Sequence, residues 1–193
     1  MSDGSKTGQT RLWLITGDPG SGKSSAVSRI LLLVRSQGFT VGGILTREVR
    51  SHGQREGFSI TNLATDETGT LASAKGIVGP RVGKYHVDLK ILSSMAVTAL
   101  EHARDKSDLV ACDEVGPMEL LSPEFRKAVM SCILQSHKPS ICVIHKRLVD
   151  PLIEDLRNSE DSKLIEVTYE NRNTLPDEIA EEIIDRLRPE LKG

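Results

Sequence analysis

A glycine-rich octapeptide near the amino end decides which folds this chain can adopt. An apolar, β-prone run at residues 12–16 precedes it, and apolar residues recur at helical spacing from Val27 to Val34 behind it. This order of strand, loop and helix is the context of a phosphate-binding loop, in which glycines let successive backbone N–H groups converge on an anion at a helix N-terminus. The predicted phosphate-binding loop consists of Gly17, Asp18, Pro19, Gly20, Ser21, Gly22, Lys23 and Ser24.

The last two residues of this loop predict how a ligand is held. Lys23 is expected to reach the β- and γ-phosphates of a nucleoside triphosphate, and Ser24 is expected to bind Mg²⁺. The small, strongly hydrated Mg²⁺ ion suits one protein hydroxyl together with phosphate oxygens and water. The sequence therefore predicts a nucleoside triphosphate as partner and Mg²⁺ as cofactor.

Composition argues against several other classes of protein. The formal net charge is −2 and aromatic residues make up 3% of the chain, so neither a basic surface nor stacking side chains favour nucleic-acid binding. No run approaches the length of a membrane span, and the polar residues 1–10 predict a flexible tail. Cys112, Cys132 and Cys142 lie in apolar segments without CxxC spacing, which favours reduced thiols in the cytoplasm over disulfides or a zinc site.

The pattern of apolar residues predicts an α/β fold in a single domain over residues 11–193. After a first helix that ends near Gly38, strand candidates at 41–49 and 58–63 with a turn at 51–54 indicate an antiparallel hairpin. Further along, helical stripes alternate with short buried strands. This alternation predicts a three-layer fold, with a mostly parallel central sheet covered on both faces and an antiparallel β-hairpin extension.

Polar residues follow two of the buried strands at the point where each strand ends. Asp113 and Glu114 come after one of them, and His145 comes after the next. Ligands gather beyond the carboxyl ends of parallel strands, so these residues are expected to join the loop in one site. Asp113 is expected to orient the Mg²⁺ held by Ser24, and Glu114 to align a water for attack on the γ-phosphorus. Such a second acid favours hydrolysis over simple nucleotide storage.

Gly116 completes a DxxG spacing that begins at Asp113. In small GTPases with this spacing the glycine amide senses the γ-phosphate, so Gly116 is a candidate phosphate contact. No Asn-Lys-x-Asp segment follows to read a guanine edge, and the spacing alone therefore does not predict selective GTP binding.

Basic residues near these motifs allow two interpretations. Arg81 and Lys84, in a glycine-rich loop, are either phosphate contacts or solvated loop charges, and the same alternatives hold for Lys146 and Arg147. His145 either hydrogen-bonds the γ-phosphate or the attacking water, or is a satisfied structural polar group. Spacing alone does not decide between these alternatives.

Longer blocks of sequence resemble one known family. They read Gly-Asp-Pro-Gly-Ser-Gly-Lys-Ser-Ser at 17–25, Gly-Pro-Arg-Val-Gly-Lys-Tyr at 79–85 and Asp-Glu-Val-Gly-Pro-Met-Glu-Leu at 113–120. From about residue 11 to residue 187 the chain resembles the thermophile-type nucleoside-triphosphatase family, whose vertebrate members are called cancer-related nucleoside-triphosphatases. The block at 79–85 is more specific to this family than the phosphate-binding loop.

The resemblance implies a P-loop enzyme with a RecA-like core, acting as a monomer or weak homo-oligomer. Such an enzyme would hydrolyse the β–γ bond of ATP, GTP, CTP and UTP slowly, with Mg²⁺ and broad base specificity. The resemblance also makes Arg81 and Lys84 phosphate or transition-state contacts, adds Ser25 to the loop, and makes Asn171 and Arg172 candidates for the base or ribose edge.

Two other functions use the same loop. A nucleotide or small-molecule kinase needs only to replace water by a substrate hydroxyl, and it usually carries a lid segment with several arginines. A nucleotide-dependent switch would use slow hydrolysis to reset contact with another protein, through movement of a segment such as the hairpin around Ser51 to Arg55. Both remain alternatives to the triphosphatase.

Overall fold

Nine β-strands and six α-helices occur in residues 10–188, the part of the chain that the computed structural model describes. Apart from Thr10, the tail predicted at 1–10 lies outside the described residues. The strands are β1 (Leu12–Thr16), β2 (Val41–Ser51), β3 (Gln54–Asn62), β4 (Thr68–Ser73), β5 (Arg81–Val82), β6 (Tyr85–Val87), β7 (Leu109–Val115), β8 (Ser140–Ile144) and β9 (Ser162–Glu166). The helices are α1 (Lys23–Ser36), α2 (Leu89–Ile91), α3 (Val97–Lys106), α4 (Pro123–Val129), α5 (Pro151–Asn158) and α6 (Leu175–Leu187).

Shorter helical turns connect some of these elements. A π-helical turn at Leu92–Ala96 joins α2 to α3, and another at Met130–Leu134 continues α4. The predicted start of α4 is confirmed, because the Ser122 hydroxyl accepts a hydrogen bond from the Phe125 amide. None of the helices in residues 10–188 is long and apolar enough to cross a membrane.

The strands form one sheet in the order β5-β6-β4-β3-β2-β7-β8-β1-β9. Pairing is parallel along the series β2-β7-β8-β1-β9. It is antiparallel along the series β2-β3-β4-β6-β5. The sheet is therefore mixed, which corrects the prediction of a mostly parallel sheet. The sequence pattern underestimates the antiparallel half because β4, β5 and β6 are short. In addition, β4 consists largely of Thr, Gly, Ala and Ser, which give little alternation of apolar and polar residues.

Two hydrophobic clusters cover the two faces of the sheet. Along β1, Leu12 and Leu14 lie in one cluster and Trp13 and Ile15 lie in the other, which is the two-residue period of a strand. Helices α3, α4 and α5 contribute to the first cluster, and α1 and α6 contribute to the second. Helices therefore cover both faces, as the alternation of elements predicts.

The β2–β3 hairpin projects beyond the parallel half of the sheet. Residues Val41–Leu45 of β2 pair with Leu109–Asp113 of β7, whereas β2 continues to Ser51 paired with β3. The predicted turn is confirmed, with His52 and Gly53 at positive φ. The outer half of this hairpin consequently stands at the edge of the sheet where β1, β7 and β8 end.

Candidate active site

The octapeptide forms a curled loop between β1 and α1. Gly20 and Gly22 have φ of +80° and +102°, in the left-handed region that favours glycine. There is no room for a side chain at Gly17, because a Cβ atom added there would lie 2.5 Å from the carbonyl oxygen of Val167 and 2.7 Å from Oγ of Ser21. Gly22 precedes α1 and provides no side-chain cap for it, so the first amides of this helix are suited to an anion.

Lys23 and Asp18 connect the loop to its surroundings. Lys23 Nζ donates hydrogen bonds of 3.1 Å to the carbonyl oxygens of Gly17 and Asp18. The Asp18 carboxylate pairs with Lys146 at 3.0 Å and with Arg147 at 3.4 Å, both from the loop after β8. The hydrogen bond from Lys146 is the main reason why the pKa of Asp18 is lowered. Lys146 and Arg147 thus contact the phosphate-binding loop rather than lie apart from it.

Asp113 and Ser24, the two predicted Mg²⁺ ligands, lie close together in one cleft. Burial, followed by the charge of Glu114, raises the pKa of Asp113 to about 7, and the nearby Ser24 hydroxyl opposes that rise. Asp113 is only 2% exposed, and its Oδ2 has no hydrogen-bond partner among residues 10–188. A buried carboxylate oxygen without a partner needs a cation or a proton, and a hydroxyl beside it adds a second hard oxygen.

These oxygens fit Mg²⁺ as a P-loop site holds it. Within residues 10–188 there is no cluster of three or more His, Cys, Asp and Glu side chains that could hold a metal. Mg²⁺ does not require such a cluster, because it keeps several waters and binds one or two protein oxygens together with phosphates. The pair formed by Ser24 and Asp113 supplies that small donor set.

Glu114 lies beside Asp113 and lines the same cleft as Lys23 and His145. Burial raises the pKa of Glu114, and the charges of Lys23 and His145 oppose that rise. A carboxylate with a raised pKa near a lysine has the environment of a general base.

Gly116 separates Glu114 from another buried acid, Glu119. A Cβ atom at Gly116 would lie 2.7 Å from Oε1 of Glu114 and 3.2 Å from Oε2 of Glu119. Burial raises the pKa of Glu119 to about 8, and the charge of Glu114 adds to the rise. Gly116 therefore leaves room for two carboxyl groups, and it does not line the cleft. Sequence reasoning assigned Glu119 no role, although an acid followed by two leucines signals burial.

Replacing Glu119 with Gln is expected to reduce the pH dependence of stability. The pKa of Glu119 is about 8 in the folded chain against an ordinary value of 4.5, so between these values the folded state binds more protons than the unfolded state. Because of this difference in bound protons, the free energy of unfolding falls as pH rises through that window, by up to about 1.4 kcal/mol per pH unit.

Urea unfolding of the wild type and Glu119→Gln between about pH 5 and pH 8 measures this contribution. The glutamine does not titrate, so the variant is expected to lose less stability as pH rises and to exceed the wild type near pH 8. Identical pH dependence in both proteins would contradict the buried, protonated state of Glu119.

One cleft of about 1090 Å³ collects most of the predicted site residues. The predicted residues that line it are Gly17, Asp18, Pro19, Gly20, Gly22, Lys23, Ser24, Ser25, Asp113, Glu114, His145, Lys146 and Arg147. Ser21 is buried and does not line the cleft. The loop, the acids and the strand-end histidine therefore meet in one place, as the topology predicts.

The β2–β3 hairpin provides lining residues that sequence reasoning missed. They are Thr46, Arg47, Glu48, Arg50, Arg55 and Phe58, and Ser28 of α1 is a further addition. A signal was present in β2, whose residues are buried up to Leu45 and exposed from Arg47 to Arg50. A strand that changes from apolar to charged halfway has left the core of its sheet, and its charged half is then available to a neighbouring site.

Arg81 and Lys84 do not line this cleft. They lie in the β5–β6 hairpin at the outer edge of the sheet, where Arg81 donates to the carbonyl oxygen of Gly83 at 3.4 Å. Lys84 Nζ lies 5.3 Å from the centre of the Tyr85 ring. Tyr85 in turn accepts a hydrogen bond of 3.0 Å from Arg55 Nε. The block at 79–85 thus contacts the cleft lining through Tyr85.

Asn171 and Arg172 lie after β9, on the other side of the loop. The Asn171 side chain accepts a hydrogen bond from the Thr168 amide at 2.8 Å and donates one to the Glu166 carbonyl at 2.9 Å, so both of its polar groups are used within the turn.

Arg172 stacks on Tyr169, with 5.1 Å from Cζ to the ring centre. Both side chains lie close to the glycines of the phosphate-binding loop. A Cβ atom added at Gly22 would lie 3.4 Å from Cδ of Arg172, and one added at Gly20 would lie 3.7 Å from the Tyr169 hydroxyl.

Comparison with known proteins confirms the resemblance carried by the motifs. The family model described as NTPase matches residues 13–180. A nucleoside-triphosphatase THEP1 of Methanosarcina barkeri is 45% identical over 167 residues, which cover 86% of this chain and 93% of the relative. The crystal structure of THEP1 from the hyperthermophile Aquifex aeolicus has a TM-score of 0.76 at 29% identity, covering 87% of this chain and 96% of that one.

The solution structure of a human cancer-related nucleoside triphosphatase is similar to the same extent. Its TM-score is 0.75 at 33% identity, and the match covers 89% of this chain and 96% of that chain. Agreement therefore extends from the motifs to the arrangement of the strands and helices. With its loop and acids in one cleft and nearly its whole length matched, this chain belongs to the NTPase family.

Proposed function

We propose that this chain hydrolyses nucleoside triphosphates to nucleoside diphosphate and phosphate, with Mg²⁺ as cofactor. The observation that carries the proposal is that Ser24, Asp113 and Glu114 line one cleft together with Lys23. A loop for the phosphates, a pair of metal-binding oxygens and a separate carboxylate are the parts that hydrolysis of a phosphoric anhydride requires. The names of the relatives support the same reaction.

Lys23 and the loop amides hold the triphosphate in this proposal. The ammonium group would exchange its contacts with the Gly17 and Asp18 carbonyls for β- and γ-phosphate oxygens, which are stronger acceptors because they are charged. Ser24 and Asp113 would hold Mg²⁺, which when bound neutralises charge on the β- and γ-oxygens. Together these groups fix the terminal phosphoryl group in position.

Glu114 acts on the attacking water. The water oxygen forms a bond to the γ-phosphorus while the bond from that phosphorus to the β–γ bridging oxygen breaks, and a proton of the water passes to the Glu114 carboxylate. The electron pair of the broken bond stays on the nucleoside diphosphate. The charges of Lys23 and His145 oppose the rise in the pKa of Glu114 that burial causes, and so favour the ionised state that a base requires.

The residues on the nucleoside side of the loop support broad base specificity. Tyr169 and Arg172 offer stacking surfaces, which bind any base because every base has a π-face. Asn171 has both polar groups engaged with the backbone, so it is not free to read a base edge. Slow turnover rests on the family resemblance alone.

The proposal extends to the surroundings of the enzyme. Cys112, Cys132 and Cys142 are buried free thiols, which supports a reducing, cytoplasmic location. The net charge of −2 supports action without nucleic acid. Action as a monomer or weak homo-oligomer is proposed from the family resemblance.

A phosphate-release assay with and without Mg²⁺ tests the proposed reaction. We expect phosphate release from ATP, GTP, CTP and UTP without any acceptor, and a loss of at least about a hundredfold when EDTA removes the divalent cation, because the charge on the γ-phosphoryl oxygens is then unopposed. Nucleoside diphosphates serve as the control and are expected to release no phosphate. Phosphate transfer that requires an added hydroxyl compound would identify a kinase instead.

A further inference from the structure

We propose that Arg50 and Arg55 form a second phosphoryl-binding subsite in the cleft, facing the end of the loop where the γ-phosphate lies. The ligand is a phosphoryl group, either the terminal phosphate of the bound nucleotide or a phosphate carried by a separate molecule. This inference rests on the proposed function, because the assignment of Asp113 and Glu114 defines which end of the cleft receives the γ-phosphate.

Glu48 holds the two guanidinium groups side by side. Arg50 Nη2 lies 2.6 Å from Oε2 of Glu48, and Arg55 Nη1 lies 2.7 Å from Oε1 of the same carboxylate. One carboxylate between two arginines leaves a net positive charge. Arg55 Nη2 makes no hydrogen bond within residues 10–188, so a donor remains for a ligand.

Aromatic rings fix the orientation of Arg55. Its Cζ atom lies 5.3 Å from the centre of the Phe58 ring and 5.7 Å from that of Tyr85, and the two rings meet edge to face at 78°. The Tyr85 hydroxyl accepts a hydrogen bond of 3.0 Å from Arg55 Nε. A guanidinium held on two rings loses little freedom when it binds an anion, and it is suited to the planar, bidentate recognition of phosphate.

The guanidinium groups stay accessible to a ligand. The side chains of Arg50 and Arg55 are 56% and 42% exposed, although both line the cleft. Ion pairs at such exposure contribute little to the stability of a fold. A role in stability alone therefore does not account for two arginines held at a cleft by a shared carboxylate, one of them also held by two aromatic rings.

The position of the pair in the sheet decides which end of the nucleotide it faces. Strand β9 lies on one side of β1, and the residues after β9, Tyr169 and Arg172, approach the loop glycines. Strands β8, β7 and β2 lie on the other side, with the acids on β7 and the hairpin extending from β2. A triphosphate with its base near Tyr169 would therefore direct its γ-phosphate toward the acids and the hairpin.

Calorimetric titration of inorganic phosphate measures the subsite directly. The wild type and its variants are first loaded with nucleoside diphosphate and Mg²⁺. We expect Arg50→Ala and Arg55→Ala to weaken phosphate binding by at least about tenfold, the scale of one hydrogen bond between charged groups. Arg188→Ala, which removes an exposed ion pair with Asp185 outside the cleft, is the matched control and is expected to bind phosphate as the wild type does.

A further variant examines the part played by the aromatic support. Tyr85→Phe keeps the ring beneath Arg55 and removes the hydroxyl that accepts a hydrogen bond from Arg55 Nε and donates one of 3.3 Å to the Arg55 carbonyl oxygen. Because Arg55 keeps its charge but loses these two contacts, we expect a loss of a few fold, smaller than that of Arg55→Ala. Thermal unfolding of each variant shows whether the fold is kept.

A titration in the presence of bound triphosphate distinguishes the two sources of the phosphoryl group. Glu114→Gln is used here so that the nucleotide is not consumed. If triphosphate excludes inorganic phosphate, the subsite holds the terminal phosphate of the nucleotide, and Arg55→Ala should then lower kcat for the triphosphate. If phosphate still binds beside the triphosphate, the subsite serves a separate phosphorylated molecule.

Two results would overturn the subsite. One is unchanged phosphate affinity in both Arg50→Ala and Arg55→Ala. The other is weaker phosphate binding in Arg47→Ala alone. Arg47 also lines the cleft, its side chain makes no hydrogen bond or ion pair within residues 10–188, and it acts electrostatically on Asp113. Failure of the proposed function would look different, since phosphate binding to Arg50 and Arg55 is measured without any hydrolysis.

Discussion

Glu114→Gln is expected to leave nucleotide binding intact and to lower hydrolysis by about a hundredfold or more, the scale of a positioned general base. Glutamine keeps the size of the side chain and an acceptor oxygen, so water can still occupy its place, but it cannot take the proton. Binding is expected to be equal or tighter, because the substitution removes a negative charge close to the phosphates. Single-turnover phosphate release gives the rate, and a titration with fluorescent triphosphate gives the affinity.

Comparison with a distant glutamate separates this effect from a general loss of charge. Glu101→Gln changes an exposed acid of α3 outside the cleft and should hydrolyse at the wild-type rate. If Glu114→Gln also turned over like the wild type, Glu114 would not be the base. A parallel loss of affinity and rate would instead assign Glu114 to nucleotide or metal binding.

The catalytic half of the cleft could be predicted because its residues lie at or just beyond the carboxyl ends of buried strands, with Asp113 and Glu114 inside the last part of β7 rather than after it. The runs ending at Thr16, at Cys112 and at Ile144 are apolar and short, and parallel strands deliver whatever follows them to one edge of the sheet. The position of Ser24 and Asp113 in one cleft was therefore predictable from topology and chemistry together. Local pattern and tertiary position agree in this half of the molecule.

The hairpin half of the cleft could not be predicted in the same way. The change from apolar to charged residues along β2 indicates that this strand leaves the core. It does not show that the charged end extends past β7 and lies over the site, since that depends on the register between the two strands. The resemblance implies roles for Arg81 and Lys84, whereas the structure connects their hairpin to the cleft through Tyr85. Charged residues in exposed strand segments carry too little pattern to indicate which of them face a neighbouring site.

Lys23→Ala is expected to have the largest effect on the nucleotide itself, weakening triphosphate binding at least about a hundredfold. Two hydrogen bonds between an ammonium group and phosphate oxygens contribute about 1.5–3 kcal/mol each, and about 2.7 kcal/mol already corresponds to a hundredfold change in affinity. Turnover should fall further, because burial raises the pKa of Glu114 and Lys23 opposes that rise. Without this lysine a smaller fraction of Glu114 is ionised, so the acid limb of the pH–rate profile should move to higher pH.

The fold should survive this substitution, which allows the loss to be assigned to the site. Lys23 Nζ contacts only backbone oxygens of its own loop among residues 10–188, at Gly17 and Asp18. Thermal unfolding is therefore expected to stay close to that of the wild type, and Lys127→Ala, an exposed lysine of α4 outside the cleft, provides the matched control for both activity and stability. Retention of wild-type affinity in Lys23→Ala would mean that the triphosphate does not lie in this loop. In that case the roles proposed for Ser24, Asp113 and Glu114 would fall with it, because each of them is defined by a γ-phosphate that Lys23 holds.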